Sequence, residues 1–296
     1  MATIIDGKAI ATRLRGAVAK QTARLQEKGI TPGLAVILVG DDPASEIYVR
    51  NKGRAAEKVG IAEETFKYPS DMTEDALLAK ISELNADPAV DAILVQSPVP
   101  KHINEKRIQD AIAPEKDVDG FHPVNVGRLY ADREGYYPVA NTPRGIMTML
   151  AAEDVTLKHK NVVVIGRSVL VGRPMFALLE NADATVTLVH RYTLDAQRKT
   201  LLAMADVVVV ATGVPGLVSG DDLKAGAVVI DVGINRLEDG SLVGDVDFAS
   251  AEPVASKITP VPGGVGPMTI ATLMQTTLEL AAEHHGVTLE DAWQSI

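Results

Sequence analysis

The chain alternates short, almost wholly apolar runs with longer stretches in which apolar residues recur every three or four positions. The clearest runs are Leu34–Val39, Ala92–Val95, Val162–Ile165, Thr185–Val189, Val207–Ala211 and Ala227–Ile230. They are rich in Val and Ile and offer few polar residues to water, which predicts strands covered on both faces of a parallel sheet. Between them the period is helical. Thr73 is placed to cap a helix whose first turn carries Glu74 and Asp75 and whose inner face is Leu77, Ile81 and Leu84. Ile270, Leu273, Met274, Thr277, Leu278 and Ala281 form another stripe, with Pro267 suited to the start of that helix. Strands alternating with helices predict an α/β protein built of βαβ units.

The segment Ala113–Gly145, dense in Pro, Gly and charge, separates two strand–helix series. The expected division is a first domain of residues 1–140, joined by 270–296, and a second of residues 141–269. Periodicity alone leaves the side taken by the final helix open. At 296 residues the length suits two domains. With 46% apolar and 23% charged residues the composition is that of an ordinary folded chain. The net charge of −10 argues against a broad basic face, so no nucleic-acid or membrane partner is expected. There are no cysteines, which removes disulfides, thiolate nucleophiles and Cys-ligated metals and fits a reducing compartment. No metal site is expected. No apolar run approaches the ~18 residues of a membrane span. The first residues, MATIIDGKAIATRLRG, lack the apolar core of a secretion signal. The expected location is the cytoplasm.

Chemistry enters with the turns. Val162–Ile165 runs into Gly166-Arg-Ser-Val-Leu-Val-Gly172-Arg-Pro174, a strand, a glycine turn and a helix start. Glycine lets backbone approach a phosphate, and a helix N-terminus supplies free N–H groups. The spacing departs from G-x-G-x-x-G, so a plain tight turn is the competing reading. The following strand ends in His190-Arg191-Tyr192-Thr193, without the carboxylate that would hold a ribose 2′-hydroxyl. A 2′-phosphate prefers a cation, so Arg191, with Arg167 and Ser168, suits NADP better than NAD. A solvated surface arginine is the plainer alternative. Thr212 with Gly213, and Asp231 leading into Gly233, follow the next two strands, where α/β sheets bind ligands.

In the first half, Ser45 is expected to cap a helix that ends at Gly60. Tyr48, Lys52, Ala55 and Val59 then share one face. A lysine in an apolar stripe either snorkels to water or is buried for acid–base work, since burial lowers its pKa. Gln96 ends another strand, and the loop from Lys116 to Pro123 offers Asp117 and Asp119. Capping and turn roles would explain each alone. His122 reads as a structural loop residue. Together Tyr48, Lys52, Gln96 and Asp119 form a candidate site at the sheet's carboxyl edge.

These residues resemble the bifunctional methylenetetrahydrofolate dehydrogenase/cyclohydrolase family over nearly the whole chain. The resemblance lies in Ser45-x-x-Tyr48-x-x-x-Lys52, in Gln96 with Pro98 and Pro100, and in Lys116-Asp-Val-Asp-Gly-Phe-His-Pro-x-Asn-x-Gly-Arg-Leu129. It continues in Gly166-Arg-Ser-x-x-Val-Gly172, Asp231-Val-Gly-Ile-Asn235 and Pro260-Val-Pro-Gly-Gly-Val-Gly-Pro-Met-Thr269. It implies two α/β domains with a cleft between them, the second a Rossmann-like NADP-binding domain. It also implies NADP-dependent oxidation of 5,10-methylenetetrahydrofolate and hydrolysis of the methenyl product to 10-formyltetrahydrofolate, within one-carbon metabolism and purine biosynthesis. By the same resemblance Lys52 serves the hydrolytic step as base or polarising cation and Gln96 tunes it. Tyr48 packs on the folate and orients Lys52, and Asp119 accepts hydrogen bonds from the pterin edge. Pro262, Gly263 and Gly264 line the folate side. Gly166, Arg167, Ser168, Gly172, Arg191, Thr212, Gly213 and Ile234 are the expected cofactor residues. A homodimer formed through the nucleotide domains is implied as well. The chain departs from the family where Gln-Leu-Pro-Leu-Pro reads Gln96-Ser-Pro-Val-Pro100, and where Pro-Cys-Thr-Pro reads Ala140-Asn-Thr-Pro143.

Three rivals can be weighed on the sequence. A short-chain dehydrogenase also uses Tyr-x-x-x-Lys, but there the glycine loop comes first, whereas here Lys52 precedes Gly166. A dehydrogenase without hydrolase activity, or a non-catalytic NADP-binding regulator, would have no reason to keep Lys52 on an apolar face.

Overall fold

The computed structural model describes residues 1–289 and 293. Residues 290–292 and 294–296, at the end of the expected 270–296 segment, lie outside the described residues. The elements are β1 (Thr3–Ile4), α1 (Gly7–Glu27), β2 (Gly33–Val39), α2 (Pro43–Val59), β3 (Ala62–Tyr68), α3 (Glu74–Ala86), β4 (Ala92–Val95), α4 (Glu105–Ala111), α5 (Pro123–Tyr130) and α6 (Asn141–Ala152). There follow β5 (Asn161–Ile165), α7 (Gly172–Asn181), β6 (Thr185–Val189), α8 (Asp195–Leu202), β7 (Val207–Val210), β8 (Val228–Asp231), β9 (Asn235–Arg236), β10 (Leu242–Val243), α9 (Phe248–Ala251), β11 (Lys257–Ile258) and α10 (Val265–His284). All six apolar runs are strands, with ends shifted by at most one residue.

The chain forms two compact units, one of Thr12–Asn141 with Ile270–Ile296, the other of Met1–Ala11 with Thr142–Thr269. The first eleven residues therefore do not join the unit expected from the sequence. The reason is β1, which pairs in parallel with β11 at the edge of the other unit's sheet.

In the first unit a parallel sheet runs in the order β3-β2-β4. β2 is buried at every position, which explains its unbroken apolar run. β3 is an edge strand whose Glu63, Glu64 and Lys67 dilute the apolar signal, and the sequence pattern alone missed it. Ile37, Leu77, Ile81, Leu84, Ile93 and Ile108 anchor the core on one side of the sheet. Thr73 caps α3, its Oγ1 accepting from the Ala76 N–H at 3.2 Å. α10 differs from the expected stripe: every residue from 271 to 280 is buried, polar ones included.

In the second unit a parallel sheet runs β1-β11-β8-β7-β5-β6. Its core gathers Val163, Ile165, Val208, Val210, Val229 and Ile258. In both sheets the chain reverses its direction of travel: between β2 and β4 in one, between β5 and β7 in the other. Such switch points open a crevice at the strands' carboxyl ends. Among the described residues no helix is long and apolar enough to cross a membrane.

Candidate active site and dinucleotide site

In the first unit the switch point holds a lysine. α2 begins at Pro43 and is capped by Asp42, whose carboxylate accepts from the Ser45 N–H at 2.8 Å. Ser45 is thus not the cap; it is buried in the first turn. Gly60 closes the helix with φ 79°, a left-handed conformation that suits glycine. The buried face is Ser45, Val49, Ala55, Ala56 and Val59. This is rotated from the expected stripe, and it leaves Tyr48 on the outer shoulder, 49% exposed. Lys52 lies three residues beyond Val49 and four before Ala56, so it stays with the inner face and is part-buried.

The Lys52 Nζ donates to Gln96 Oε1 at 3.0 Å. Gln96 follows β4, and its own amide donates to the Ser97 carbonyl at 2.6 Å. That second bond fixes the amide so that its oxygen faces the lysine. The 116–119 segment runs beside β4, because the Ile93 N–H donates to the Lys116 carbonyl at 2.7 Å and Ile93 bridges Asp117. Lys52, Gln96, Ser97, Asp117 and Asp119 consequently line one cavity of about 110 Å³. Burial lowers the Lys52 pKa below the ordinary lysine value, and Asp119 opposes that shift. Burial pushes the Asp119 carboxyl up to about 6, while Lys52 and Asn141 pull it down. The result is an ammonium that gives up its proton more readily than usual, beside a neutral acceptor and a carboxylate.

Neighbouring polar residues hold this geometry. Lys116 is spent on the end of α3, donating to the Leu84 and Asp87 carbonyls at 3.2 and 2.7 Å. Asp117 accepts from the His122 N–H at 2.8 Å and the Asn125 amide at 3.0 Å. His122 caps α5 through Nδ1, which accepts from the Val124 N–H at 3.1 Å. Ser97 donates to Glu105 at 2.5 Å.

In the second unit the ends of β5, β6 and β7 surround a cavity of about 630 Å³. Gly166, Arg167, Ser168, Arg191 and Thr212 line it, as the sequence suggested. His190, Thr193 and Arg198 line it too; sequence reasoning passed over them as cofactor residues. The glycines there are steric necessities. Gly166 has φ 115°, and a Cβ on it would stand 2.1 Å from the Ala211 carbonyl oxygen. A Cβ on Gly172 would stand 2.0 Å from the Gly166 oxygen, so Gly172 buttresses the loop from behind. The Arg191 guanidinium donates to the Tyr192 hydroxyl at 2.9 Å and stacks on its ring at 4.8 Å. Arg167 stands 5.7 Å from the same ring. This donor set, the guanidiniums of Arg167, Arg191 and Arg198 and the hydroxyls of Ser168, Thr193 and Thr212 beside a glycine cradle, with no carboxylate among the described residues that line it, fits a phosphorylated dinucleotide.

Gly213 has φ 71° and follows Thr212 without lining the cavity. Ile234 is 50% exposed and lies on the loop after β8, apart from the cavity wall. Pro262, Gly263 and Gly264 follow β11 and pack on the start of α1, where the Lys8 N–H donates to the Gly263 carbonyl at 3.2 Å. They belong to the same unit as the dinucleotide cavity, while Tyr48, Lys52, Gln96 and Asp119 belong to the other.

One buried carboxylate, Asp245, escaped the sequence reading, and a second, Asp231, which that reading placed at a strand end, is buried beside it. Asp245, fully buried, accepts from the Thr212 N–H at 2.6 Å, the Thr212 hydroxyl at 2.9 Å and the Gly213 N–H at 2.9 Å. Asp231 accepts from the N–H groups of Gly233, Asp245 and Val246, each at 2.9 Å. Burial raises the Asp231 pKa to about 6. The nearest signals in the sequence are Gly233 and Gly244, where a Cβ would collide with these carboxylates.

A glycine loop at the switch point of a parallel sheet, paired with a second α/β unit carrying a perturbed lysine, defines a two-unit dinucleotide-binding protein of the dehydrogenase class. Residues 5–119 match the tetrahydrofolate dehydrogenase/cyclohydrolase catalytic domain, and residues 140–285 match the NAD(P)-binding domain of the same family. The chain is 58% identical over 281 residues to the bifunctional protein FolD of Lactiplantibacillus plantarum, covering 95% of this chain and 98% of that protein. The crystal structure of the bifunctional FolD methylenetetrahydrofolate dehydrogenase/cyclohydrolase from Campylobacter jejuni matches with a TM-score of 0.94 at 45% identity, over 96% of this chain and 99% of that one. The Trypanosoma brucei FolD, complexed with NADP cofactor and inhibitor, matches with a TM-score of 0.91 at 39% identity, over 95% and 98% of the two chains. The chain belongs to the tetrahydrofolate dehydrogenase/cyclohydrolase family.

Proposed function

We propose that this chain is a bifunctional one-carbon folate enzyme. It oxidises 5,10-methylenetetrahydrofolate with NADP⁺ and hydrolyses the 5,10-methenyl product to 10-formyltetrahydrofolate. The observation that carries the reading is Lys52, with its lowered pKa, 3.0 Å from Gln96 and sharing a cavity with Asp119.

The bridging carbon of the substrate lies between two nitrogens, whose lone pairs stabilise the cation left when a hydride departs. That step needs alignment more than an acid or base. NADP⁺, when bound, supplies the hydride acceptor. Gly166, Ser168 and Thr212, which line the cavity, would hold the cofactor, with Gly172 and Gly213 shaping the turns and Ile234 contributing from the loop after β8. Arg191, assisted by Arg167, pairs with the 2′-phosphate.

Hydrolysis does need proton transfer. Water adds to the bridging carbon and its oxygen gives up both protons as the formyl carbonyl forms; one carbon–nitrogen bond breaks, the freed ring nitrogen takes up one of those protons, and the other is released. Lys52 acts here as the acid/base or polarising group, and Gln96 orients it through the neutral acceptor Oε1. Tyr48, exposed one turn before Lys52, packs on the folate ring. Asp119 accepts from the donor-rich pterin edge. Pro262, Gly263 and Gly264 contribute to folate binding from the second unit. The enzyme works in the cytoplasm as a homodimer joined through its nucleotide units, supplies 10-formyltetrahydrofolate to purine biosynthesis, and has no nucleic-acid or membrane partner.

A coupled assay tests the reading. Methylenetetrahydrofolate with NADP⁺ yields NADPH, followed by decay of the methenyl absorbance faster than the spontaneous rate. NADPH formation with decay only at the spontaneous rate contradicts the second activity; no NADPH at all contradicts the first.

A further inference from the structure

Asn141, where the resemblance leads one to expect cysteine, is 5% exposed. Its amide is fully committed. Nδ2 donates to the Val118 carbonyl at 3.0 Å and to Asp119 Oδ1 at 3.2 Å. Oδ1 accepts from the Thr276 hydroxyl at 3.0 Å. The last bond matters for the others, because an amide's oxygen and nitrogen can exchange places. A hydroxyl donating to Oδ1 and a carbonyl facing Nδ2 leave one orientation, with an N–H aimed at Asp119. A cysteine thiol at this position has one weak donor and could not serve a carbonyl and a carboxylate together.

We infer that Asn141 is the positioning residue of the folate site, holding Asp119 in place and keeping it ionised so that it receives the pterin. The inference rests on the proposed role of Asp119 as the pterin acceptor. A carboxylate at Asp119 is disfavoured by its surroundings and by Asp117, and favoured by Lys52 and by the Asn141 N–H. Lys52 is itself engaged with Gln96 and serves the hydrolytic step. Asn141 therefore supplies a fixed hydrogen bond to the charged form that does not change as Lys52 gains or loses its proton. Because Val118 and Asp119 are adjacent, the same amide sets both the backbone and the carboxylate. Thr276, on α10, transmits the position of that helix to the site.

The experiment is a double-mutant cycle on the KM for methylenetetrahydrofolate, followed across pH, with Asn141→Ala, Asp119→Ala and the double variant. Asn141→Ala is expected to raise KM roughly three- to tenfold where Asp119 is fully ionised. It should also move the acid limb of the KM profile, set near 6 by Asp119, to higher pH. Asn141→Asp, which keeps the shape but turns an oxygen towards Asp119, should move the limb further. In the Asp119→Ala background, Asn141→Ala should change KM by less than about twofold. A residue of purely structural value would lower the melting temperature or the active fraction and leave the limb where it was. If Asp119→Ala leaves KM unchanged, the pterin role of Asp119 itself is wrong. If Asp119→Ala raises KM but neither Asn141 variant moves KM or the limb, the inference about Asn141 is overturned. Should the Asn141 variants fail to fold, Thr276→Val, which frees the amide to turn, should shift the limb in the same direction, and an unmoved limb overturns the inference equally.

Discussion

The Lys52 Nζ lies 3.0 Å from Gln96 Oε1, a contact between residues 44 positions apart. It joins the helix after β2 to the loop after β4, the two strands between which the first sheet reverses. Ligands of α/β sheets lie at such a reversal, so the lysine's place follows from the topology. Its partner is neutral, which leaves the lowered lysine pKa in force. A carboxylate at position 96 would undo this.

Gln96→Glu therefore tests the electrostatics. A charged partner favours the ammonium form and raises the lysine pKa. Hydrolysis should fall about 10- to 100-fold near neutrality, equivalent to ~1.5–3 kcal/mol for one charge-assisted bond. The lost activity should return in part as pH rises. A pH–rate profile that keeps its position would contradict the account.

Arg191→Ala tests the dinucleotide end. Losing a charge-assisted contact to a phosphate costs ~1.5–3 kcal/mol, so NADP⁺ should weaken more than tenfold while NAD⁺ changes little. Calorimetric titration of both cofactors reads this directly. Equal weakening of the two would remove Arg191 from the phosphate site.

Gly166→Ala tests the cradle. The new methyl group meets the Ala211 oxygen, and the backbone there sits at φ 115°. Overpacking of this kind costs ~1–3 kcal/mol, and the displaced loop should lose NADP⁺ affinity. A variant with unchanged melting temperature and unchanged NADP⁺ binding would show that this close approach does not matter.

His284 predicts a pH dependence of stability. Its ring faces Asp91 through Nδ1 and the Glu115 carbonyl through Nε2, each at 3.0 Å, with Lys116 also nearby. The Asp91 hydrogen bond raises the imidazole pKa above its ordinary 6.5, against a lowering by burial. A raised folded pKa adds stability that is complete below the unfolded value and is lost as pH climbs through the folded one. The melting temperature of the native chain should exceed that of His284→Gln most below about pH 6, and the gap should narrow as the solution becomes alkaline. A gap that widens on going alkaline contradicts the ring's role.

How much of this could be read beforehand depended on the range of the signal. β2, β4, β5 and β7 declared themselves because burial on both faces makes a strand apolar throughout. β3 did not, since an edge strand carries Glu63, Glu64 and Lys67. β1 is two residues long and exists only through its pairing with β11, more than two hundred positions away. On α2 the sequence put Lys52 among apolar neighbours, yet chose the stripe containing Tyr48. The true face uses Ser45 and Ala56, small residues that contribute little to a hydrophobic pattern. That Gly166, Arg167, Ser168, Arg191 and Thr212 share a cavity was legible because they follow strand ends, where such a fold opens its crevice. Asp245 was not, because its partners Thr212 and Gly213 lie 33 and 32 positions earlier and no local pattern links them.

The most direct test is the ratio of the two activities in Lys52→Met, a change of similar length that removes the ammonium. The account predicts that hydrolysis of methenyltetrahydrofolate falls to the spontaneous rate while NADP-dependent oxidation of the methylene substrate remains substantial. Equal loss of both activities in a variant that melts like the native chain, or hydrolysis that survives, would contradict the role assigned to Lys52.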